Sequence, residues 1–171
     1  MAITQRIQPC FWFDDQGEEA ARFYTAIFPN SRIVAVTRYT EVGHEIHQRP
    51  SGSAMTVTFE LDGQRFTALN GGPVFTFNEA LSLEVRCESQ EEIDYYWERL
   101  SEGGDPRAQQ CGWLKDRFGV SWQVVPNAMD RMFEDAESPG AKRAMAAMLQ
   151  MKKLDLPALE RAYAGTEAAA V

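Results

Sequence analysis

The sequence predicts an α+β protein built from two similar modules. Apolar residues with the helical spacing i, i+3, i+4, i+7 occur twice, first from Ala20 to Ile27 and again from Ile93 to Leu100. Strand-like alternation of apolar and polar residues precedes each helix and follows it. A unit that recurs in this order indicates internal duplication of a βαβββ module. We expect the two modules to form one domain with a partly open, antiparallel, barrel-like cup, extended by C-terminal helices.

The boundaries of these parts follow from turn residues and a change in composition. We expect the first module at residues 1–72, the second at 73–126, a helical extension at 127–165 and a frayed tail at 166–171. The net charge of −8 argues against nucleic-acid partners and anionic membrane surfaces. No apolar run approaches the roughly 20 residues of a spanning helix, and no secretory leader is evident. Three widely spaced cysteines make no disulfide framework, so we expect a reduced, cytoplasmic protein.

The first module begins with a predicted strand at residues 7–13. In this strand Ile7, Phe11 and Phe13 share the face that packs against the helix. The helix follows and ends before Pro29. The remaining predicted elements are a strand at 33–39, a polar loop at 41–53, a strand at 54–61, a turn at Asp62-Gly63 and a returning strand at 64–70.

The second module is predicted to begin with a strand at 81–87, in which Leu81 belongs to the apolar face. Its helix has a capping box made by Ser89 and Glu92. Only a short polar segment separates this helix from a hairpin at 111–125, so the second strand of the module must be short or irregular. In the last arm of the hairpin, the residues that face the helices are Val120, Trp122 and Val124.

The C-terminal extension is rich in helix formers. Helices are predicted at 127–135, after Ser138-Pro139 and from Leu156 to Gly165. Within it, a methionine stripe is either a soft binding face or a core and subunit contact. The stripe consists of Met145, Met148 and Met151.

The polar faces of the strands define the candidate site. If the apolar faces pack against the helices, the opposite faces line the cup, and a concave surface with an aromatic wall is typical of a small-molecule pocket. A solvated sheet face is the alternative, but Trp12 favours a pocket because tryptophan is rarely left in water among polar neighbours. The predicted ligand-binding residues are Gln8, Cys10, Trp12, Thr56, Thr58, Glu60, Ser82, Glu84, Trp113 and Gln123.

Three residues are candidates for catalysis. Glu60 and Glu84 could act as an acid and a base in the cup, and Cys111 could act as a nucleophile. Exposed carboxylates and inert structural cysteine are the alternative explanations. His44 and His47 lie close together in a Gly/Pro-bounded loop without a third ligand, which favours an exposed loop over a metal site.

Several motifs resemble one known family. They are Pro9–Asp14, Phe23-Tyr24, Cys111–Asp116, Val120–Gln123 and the tail Met148–Asp155. The chain resembles the vicinal-oxygen-chelate superfamily of glyoxalases, bleomycin-resistance proteins and extradiol dioxygenases. It is most similar to the PhnB-like branch, often labelled 3-demethylubiquinone-9 3-methyltransferase. The resemblance implies the doubled βαβββ fold, but that fold hosts enzymes of several classes and pure binding proteins.

The resemblance also implies positions for a metal. In metal-using members, the first and last strands of each module supply His, Gln or Glu ligands to one divalent ion. Because none of the matching residues is His and most are neutral amides, we expect no metal and no other cofactor. The methyltransferase label is not adopted as a mechanism, since the chain lacks the Gly-rich turn of a doubly wound cofactor site. The matching metal positions are Gln8, Asn70, Glu79 and Gln123.

Three functions remain open at this point. The chain is a binding protein for a small hydrophobic or aromatic ligand, a superfamily enzyme (lyase, isomerase, dioxygenase or methyltransferase), or an interaction protein whose C-terminal helices dock a partner. Metal content separates the enzyme from the binding protein. We also expect a homodimer, because open edges of antiparallel sheets need covering.

Overall fold

The structure is a computed structural model that describes residues 6–166. The chain divides into two compact units, Met1–Thr76 and Phe77–Val171, each with its own sheet. Most of the predicted frayed tail, residues 167–171, lies outside the described residues. Within residues 6–166, no helix is both long enough and apolar enough to cross a membrane.

The first unit has the predicted βαβββ order. Its strands lie in the order β1-β4-β3-β2, with β1 parallel to β4 and the other neighbours antiparallel. The short helix α2 lies in the segment that was predicted as a loop. The elements are β1 (Cys10–Phe13), α1 (Gly17–Ile27), β2 (Arg32–Arg38), α2 (His44–His47), β3 (Ala54–Leu61) and β4 (Gln64–Asn70).

Aromatic side chains fill the core between α1 and this sheet. Tyr24 of α1 is fully buried, and its ring centroid lies 6.3 Å from that of Phe59 on β3. Phe59 stacks in turn on Phe66 of β4, with the ring centroids 5.5 Å apart. Burying a side chain of this size contributes about 1.5–3 kcal/mol to the free energy of unfolding. The alternating burial of β3 and β4 therefore fixes which side chains point away from α1.

Strand β1 is shorter than predicted. It begins at Cys10, and Ile7 is 89% exposed, so the expectation that Ile7 shares the buried face is wrong. Pro9 has no N–H to donate. Its carbonyl accepts from the amide of Thr67, and this is the first hydrogen bond between this segment and β4. Gln8 also precedes the strand and is exposed.

Among the described residues of the second unit there are three strands, in the order β5-β7-β6, instead of the predicted four. The connection from α3 to β6 contains Gly103, Gly104 and Pro106, which disfavour a strand, and it forms a 3-10 turn. Leu81 precedes β5 and is 70% exposed, so its predicted place on the apolar face is wrong. The elements are β5 (Leu83–Cys87), α3 (Gln90–Ser101), the 3-10 turn (Pro106–Ala108), β6 (Trp113–Lys115) and β7 (Ser121–Pro126).

The two sheets share one construction. In each, the first strand runs parallel to the last, as β1 does to β4 and β5 does to β7. The amide of Gly71 donates to the carbonyl of Phe13, and the amide of Asn127 donates to the carbonyl of Cys87. The same bond therefore closes both parallel pairs just past the last strand. This repetition supports internal duplication.

The C-terminal helices α4 (Ala128–Met132), α5 (Pro139–Met148) and α6 (Leu156–Ala164) belong to the second unit. The chain between α5 and α6 is bonded to the segment before β6. The amides of Cys111 and Gly112 donate to the carbonyls of Met151 and Lys152 over 2.8 and 2.7 Å. Cys111 and Gly112 have φ of 50° and 86°, outside the strand region. Strand β6 therefore begins at Trp113, and the prediction that it begins at Cys111 is wrong.

The predicted methionine stripe lies at the surface of this extension. Met145 is 40% exposed, and the neighbouring Leu149 is 52% exposed. Met148 and Met151 are half-buried. A binding face and a packing face both remain predictions for this stripe.

Candidate functional site

The first candidate surface is the side of the first sheet that points away from α1. The pairing register aligns its side chains in rows across the strands. Thr58, Thr67 and Cys10 form one row, and Trp12 lies in the next. We call this surface the first polar face, defined by Cys10, Trp12, Thr56, Thr58, Glu60 and Thr67. Five of the predicted ligand-binding residues thus share one face.

Glu60 on this face is held between two guanidinium groups. Its carboxylate accepts from Arg32 over 2.8 Å and from Arg65 over 3.0 Å. These hydrogen bonds, first from Arg32 and then from Arg65, lower the pKa of Glu60 below its usual value. A carboxylate that stays ionised is a poor proton donor, so the geometry fits a cross-strand ion pair better than general acid catalysis.

Trp12 forms the aromatic wall of the first polar face. Its indole N–H donates to the carbonyl of Gly72 over 2.8 Å. The ring packs so closely on Gly71 that a Cβ there would lie 2.2 Å from the indole. The Trp12 and Phe75 rings meet edge to face, with the centroids 5.0 Å apart. Trp12 is therefore half-buried and fixed in position, while the neighbouring Phe75, which the sequence analysis missed, is 64% exposed.

Asn70 does not belong to this face. It is 4% exposed and lies on the α1 side of β4. Its carboxamide oxygen accepts from the amide of Gly17 over 2.7 Å, and its nitrogen donates to the carbonyl of Ala54 over 3.1 Å. The side chain thus supports the start of α1, because the first amides of a helix lack partners within it. Asn70, one of the metal positions that the resemblance implies, is thus engaged on the side of the sheet opposite the first polar face.

The second candidate surface is the side of the second sheet that points away from α3. The register sets Trp113 opposite Gln123 and Lys115 opposite Ser121. Gln123 donates its side-chain N–H to the hydroxyl of Ser82 over 2.9 Å. We call this surface the second polar face, defined by Ser82, Glu84, Trp113, Lys115, Ser121 and Gln123.

Two features of the second polar face were not predicted. The Lys115 ammonium forms an ion pair of 2.5 Å with Glu79, which lowers the pKa of Glu79. The Ser121 hydroxyl is buried and has no hydrogen-bond partner among residues 6–166. The alternation of Trp113, Leu114 and Lys115 would have placed Lys115 on this face, but no sequence pattern indicates its partner.

Glu84 is exposed and belongs to a surface ion network. Its carboxylate accepts from Arg86 over 2.7 Å, and Arg86 also pairs with Asp130 and Asn127. The hydrogen bonds that Arg86 donates to Asp130 and then to Glu84 raise the pKa of Arg86. Strand β5 and helix α4 are thus connected by the ion pair of Arg86 with Asp130.

The three cysteines lie in different surroundings. Desolvation raises the pKa of the Cys10 thiol and raises that of the buried Cys87 thiol to about 12. Cys111 lies in the turn before β6, and its sulfur accepts from the side chain of Gln110 over 3.3 Å. A protonated thiol is a weak nucleophile, so Cys10 and Cys87 are unsuited to covalent catalysis at neutral pH.

The two histidines have local roles. The ring of His47 accepts from the amide of Arg49 at Nδ1 over 3.0 Å, and its Nε2 lies 3.2 Å from the carbonyl of Val42. With both nitrogens engaged, His47 stabilises the chain around α2. His44 lies beside it, with the ring centroids 5.8 Å apart. Across the described part of the chain, no three His, Cys, Asp or Glu side chains group as metal ligands.

The residues at the implied metal positions do not fit a divalent cation. Gln8 lies before β1, and Asn70 points to the other side of its sheet. Glu79 is paired with Lys115, and Gln123 is bonded to Ser82. Each donor is thus misplaced or already engaged, and neutral amides alone are weak ligands.

We expect purified protein to carry well under one equivalent of Mn, Fe, Ni, Zn or Mg. Added metal should raise the melting temperature little, because stabilisation follows the ratio of free ligand to Kd. Elemental analysis of protein purified without chelator, with thermal melts in each metal, makes the measurement. A stoichiometric metal that is lost on Gln123→Ala or Gln8→Ala would contradict this expectation.

The arrangement of helix and strands in each unit identifies the fold. A helix packed on one side of a sheet whose first and last strands are parallel, present in both units, is the glyoxalase-like fold of the vicinal-oxygen-chelate superfamily. Matched by the family model over residues 5–125, the chain belongs to the 3-demethylubiquinone-9 3-methyltransferase family. The match ends before the C-terminal extension, so the similarity of the tail at 148–155 remains a prediction.

Solved structures agree with this assignment. The PhnB protein from Bacillus cereus is 37% identical, with 71% of this chain and 99% of that chain covered and a TM-score of 0.61. Protein PA1353 from Pseudomonas aeruginosa is 20% identical, with coverage of 72% and 98% and a TM-score of 0.54. The fosfomycin resistance protein FosX from Listeria monocytogenes is 13% identical, with coverage of 78% and 99% and a TM-score of 0.53. The last two share the fold alone. No curated protein matches the chain.

Proposed function

We propose that this chain is a PhnB-like binding protein that holds a small hydrophobic or aromatic ligand on a polar sheet face, without a metal ion. The pairing of Trp12 with Phe75 carries the proposal. The indole is anchored at one end by Gly72, so its ring is positioned before a ligand arrives. The hydroxyls of Thr37 and Thr56 lie on the same side of the sheet and supply polar groups near the aromatic wall.

Exposed apolar surface beside Trp12 supports a ligand there. Phe75 is 64% exposed and Val74 is 67% exposed. Contiguous apolar side chains at the rim of a polar surface are typical of binding sites. An aromatic ligand against Trp12 would remove part of this surface from water and add ring contacts of about 0.5–1.5 kcal/mol.

The candidate catalytic groups favour an enzyme less. Glu60 is kept ionised by two arginines, and Glu84 is exposed and paired with Arg86. Methyl transfer by a doubly wound sheet is not favoured either, because the first sheet is mainly antiparallel and the chain has no Gly-rich cofactor turn.

Replacing Trp12 with leucine is expected to weaken the binding of Nile red, a neutral aromatic dye, about threefold to tenfold. The leucine keeps an apolar side chain but removes the ring contacts. Fluorescence titration of the full chain measures the Kd. Tyr95→Leu, which removes a half-buried ring on α3, is the control and should leave the Kd unchanged. Equal Kd values for Trp12→Leu and the unaltered protein, or no binding by the unaltered protein, would count against the proposal.

Cytoplasmic localisation and a homodimer stay predictions. Three free cysteines are compatible with a reducing compartment. The edge strands, which are β1 and β2 of the first sheet and β5 and β6 of the second, are places where a second copy could add to a sheet. A monomer at micromolar concentration in a sedimentation experiment would contradict the prediction of a homodimer.

A further inference from the structure

The second polar face holds a cation and a free donor side by side. Lys115 on β6 and Ser121 on β7 are directly paired in the antiparallel register, so their side chains emerge next to each other on one face. Trp113 and Gln123 form the neighbouring pair on the same face. An ammonium, a hydroxyl, an amide and an aromatic ring thus lie within two adjacent pairs.

The hydroxyl of Ser121 contributes no hydrogen bond to the described part of the fold. The residue is 2% exposed, and its oxygen finds no hydrogen-bond partner among residues 6–166. Nearby side chains are engaged elsewhere. Lys115, which is paired with Ser121 across the strands, binds Glu79, and Ser82 accepts from Gln123. A buried hydroxyl without a partner is destabilising, and it is the kind of group that a ligand satisfies. It can donate to an oxyanion held by the adjacent ammonium.

The partner of Lys115 is itself an oxyanion. The Lys115 side chain is only 24% exposed, and Glu79 pairs with it over 2.5 Å, although the Glu79 side chain is 58% exposed. Glu79 lies in the segment between β4 and β5, residues 71–82, which contains no helix or strand. An irregular segment can change its conformation at less cost than a strand, because it gives up fewer backbone hydrogen bonds.

We propose that Lys115 and Ser121 form a subsite for the carboxylate, phosphate or phosphonate group of the ligand, and that Glu79 occupies this subsite until the ligand displaces it. The proposal rests on the proposed function, because it names the chemical class of ligand that the second polar face accepts. Trp113 supplies an apolar contact for the body of the same molecule. The ligand class is therefore an aromatic or hydrophobic acid.

Two aromatic acids and a neutral analogue show whether the subsite binds a carboxylate or a phosphonate. Benzoate and phenylphosphonate are titrated by calorimetry into the full chain at constant ionic strength, and benzamide is the neutral reference. The unaltered protein should bind at least one acid more tightly than benzamide. Nuclear magnetic resonance shifts of the Lys115 and Ser121 amides locate the binding.

Three variants test the parts of the subsite. Glu79→Gln removes the internal competitor and should lower the Kd for the acid about threefold to fivefold, as expected for a partly exposed ion pair. Lys115→Met should raise the Kd at least tenfold, because a charge-assisted hydrogen bond is lost. Ser121→Ala should raise the Kd about fivefold without lowering the melting temperature. Lys153→Met is the matched control, since Lys153 is also ion-paired, to Asp94, and lies outside this face.

The outcomes separate this inference from the proposed function. A Kd for the acids that is unchanged in Lys115→Met, or not lowered in Glu79→Gln, overturns the subsite even if Nile red still binds. If the unaltered protein does not bind Nile red but binds the acids in a way that depends on Lys115, only the aromatic site at Trp12 is overturned. Thermal melts of each variant confirm folding, and Lys115→Gln replaces Lys115→Met if the latter does not fold.

Discussion

Trp122→Ala is expected to lower the free energy of unfolding by about 3–5 kcal/mol. Trp122 is 2% exposed on the α3 side of the second sheet. It is paired with Leu114 on β6 and with Leu83 on β5, so its ring fills the space above the centre of the sheet. Removing it leaves a large cavity and takes a hydrogen-bond donor from the buried carboxylate of Asp116.

Urea unfolding followed by far-ultraviolet circular dichroism measures this loss without relying on tryptophan fluorescence. Trp113→Ala is the matched control, because Trp113 is half-buried on the opposite face of the same sheet. Its loss should stay below about 2 kcal/mol, as for most partly exposed positions. If both substitutions lower the free energy of unfolding equally, the face on which each tryptophan lies does not decide its contribution to stability.

The hairpin of the first module was predictable from local sequence. The predicted strands at 54–61 and 64–70 have the observed bounds. Met55, Val57, Phe59 and Leu61 alternate with polar residues in the first of these strands, and Asp62-Gly63 takes the positive φ values, 45° and 79°, of a two-residue hairpin turn. Pattern and turn chemistry agree here, so nothing distant was needed to fix the register.

The strand ends and the second module depend on contacts that the pattern does not contain. Ile7 and Leu81 continue the alternation, but neither is covered by another element, and both are exposed. Cys111 looks like part of a strand, yet its amide bonds to Met151, forty residues further along the chain. The backbone at Cys111 and Gly112 has positive φ, and β6 begins only after it, at Trp113.

The two polar faces of the candidate site were predictable from the sequence, but the ion pairs and hydrogen bonds of their side chains were not. Alternation alone placed Trp12 and Thr56 on one face, and the register confirms it. Asn70 was assigned by similarity to a metal position, but strand parity sends it to the α1 side. The pair of Lys115 and Glu79 joins a strand to an irregular segment, and sequence patterns carry no information on such a contact.

Asp116→Ala is expected to lower the free energy of unfolding by about 3–5 kcal/mol, although it removes only a small side chain. The carboxylate is 2% exposed and accepts from the amides of Phe118 and Val120 over 2.8 and 3.0 Å. Its other oxygen accepts from the indole N–H of Trp122 over 2.8 Å. Alanine leaves these donors without an acceptor, and each buried unsatisfied donor costs about 1–3 kcal/mol. The turn between β6 and β7 would also lose the side-chain bonds that shape it.

Asp116→Asn separates the backbone bonds from the indole bond. Its single oxygen can still serve the amides of Phe118 and Val120, while its nitrogen would face the indole N–H of Trp122 as a second donor. We expect a loss of about 1–3 kcal/mol in the unaltered background. In a Trp122→Phe background, which has no indole N–H, the same substitution should cost at least about 1 kcal/mol less. Additive losses in this double-mutant cycle, measured by urea unfolding, would show that the carboxylate stabilises the turn without Trp122.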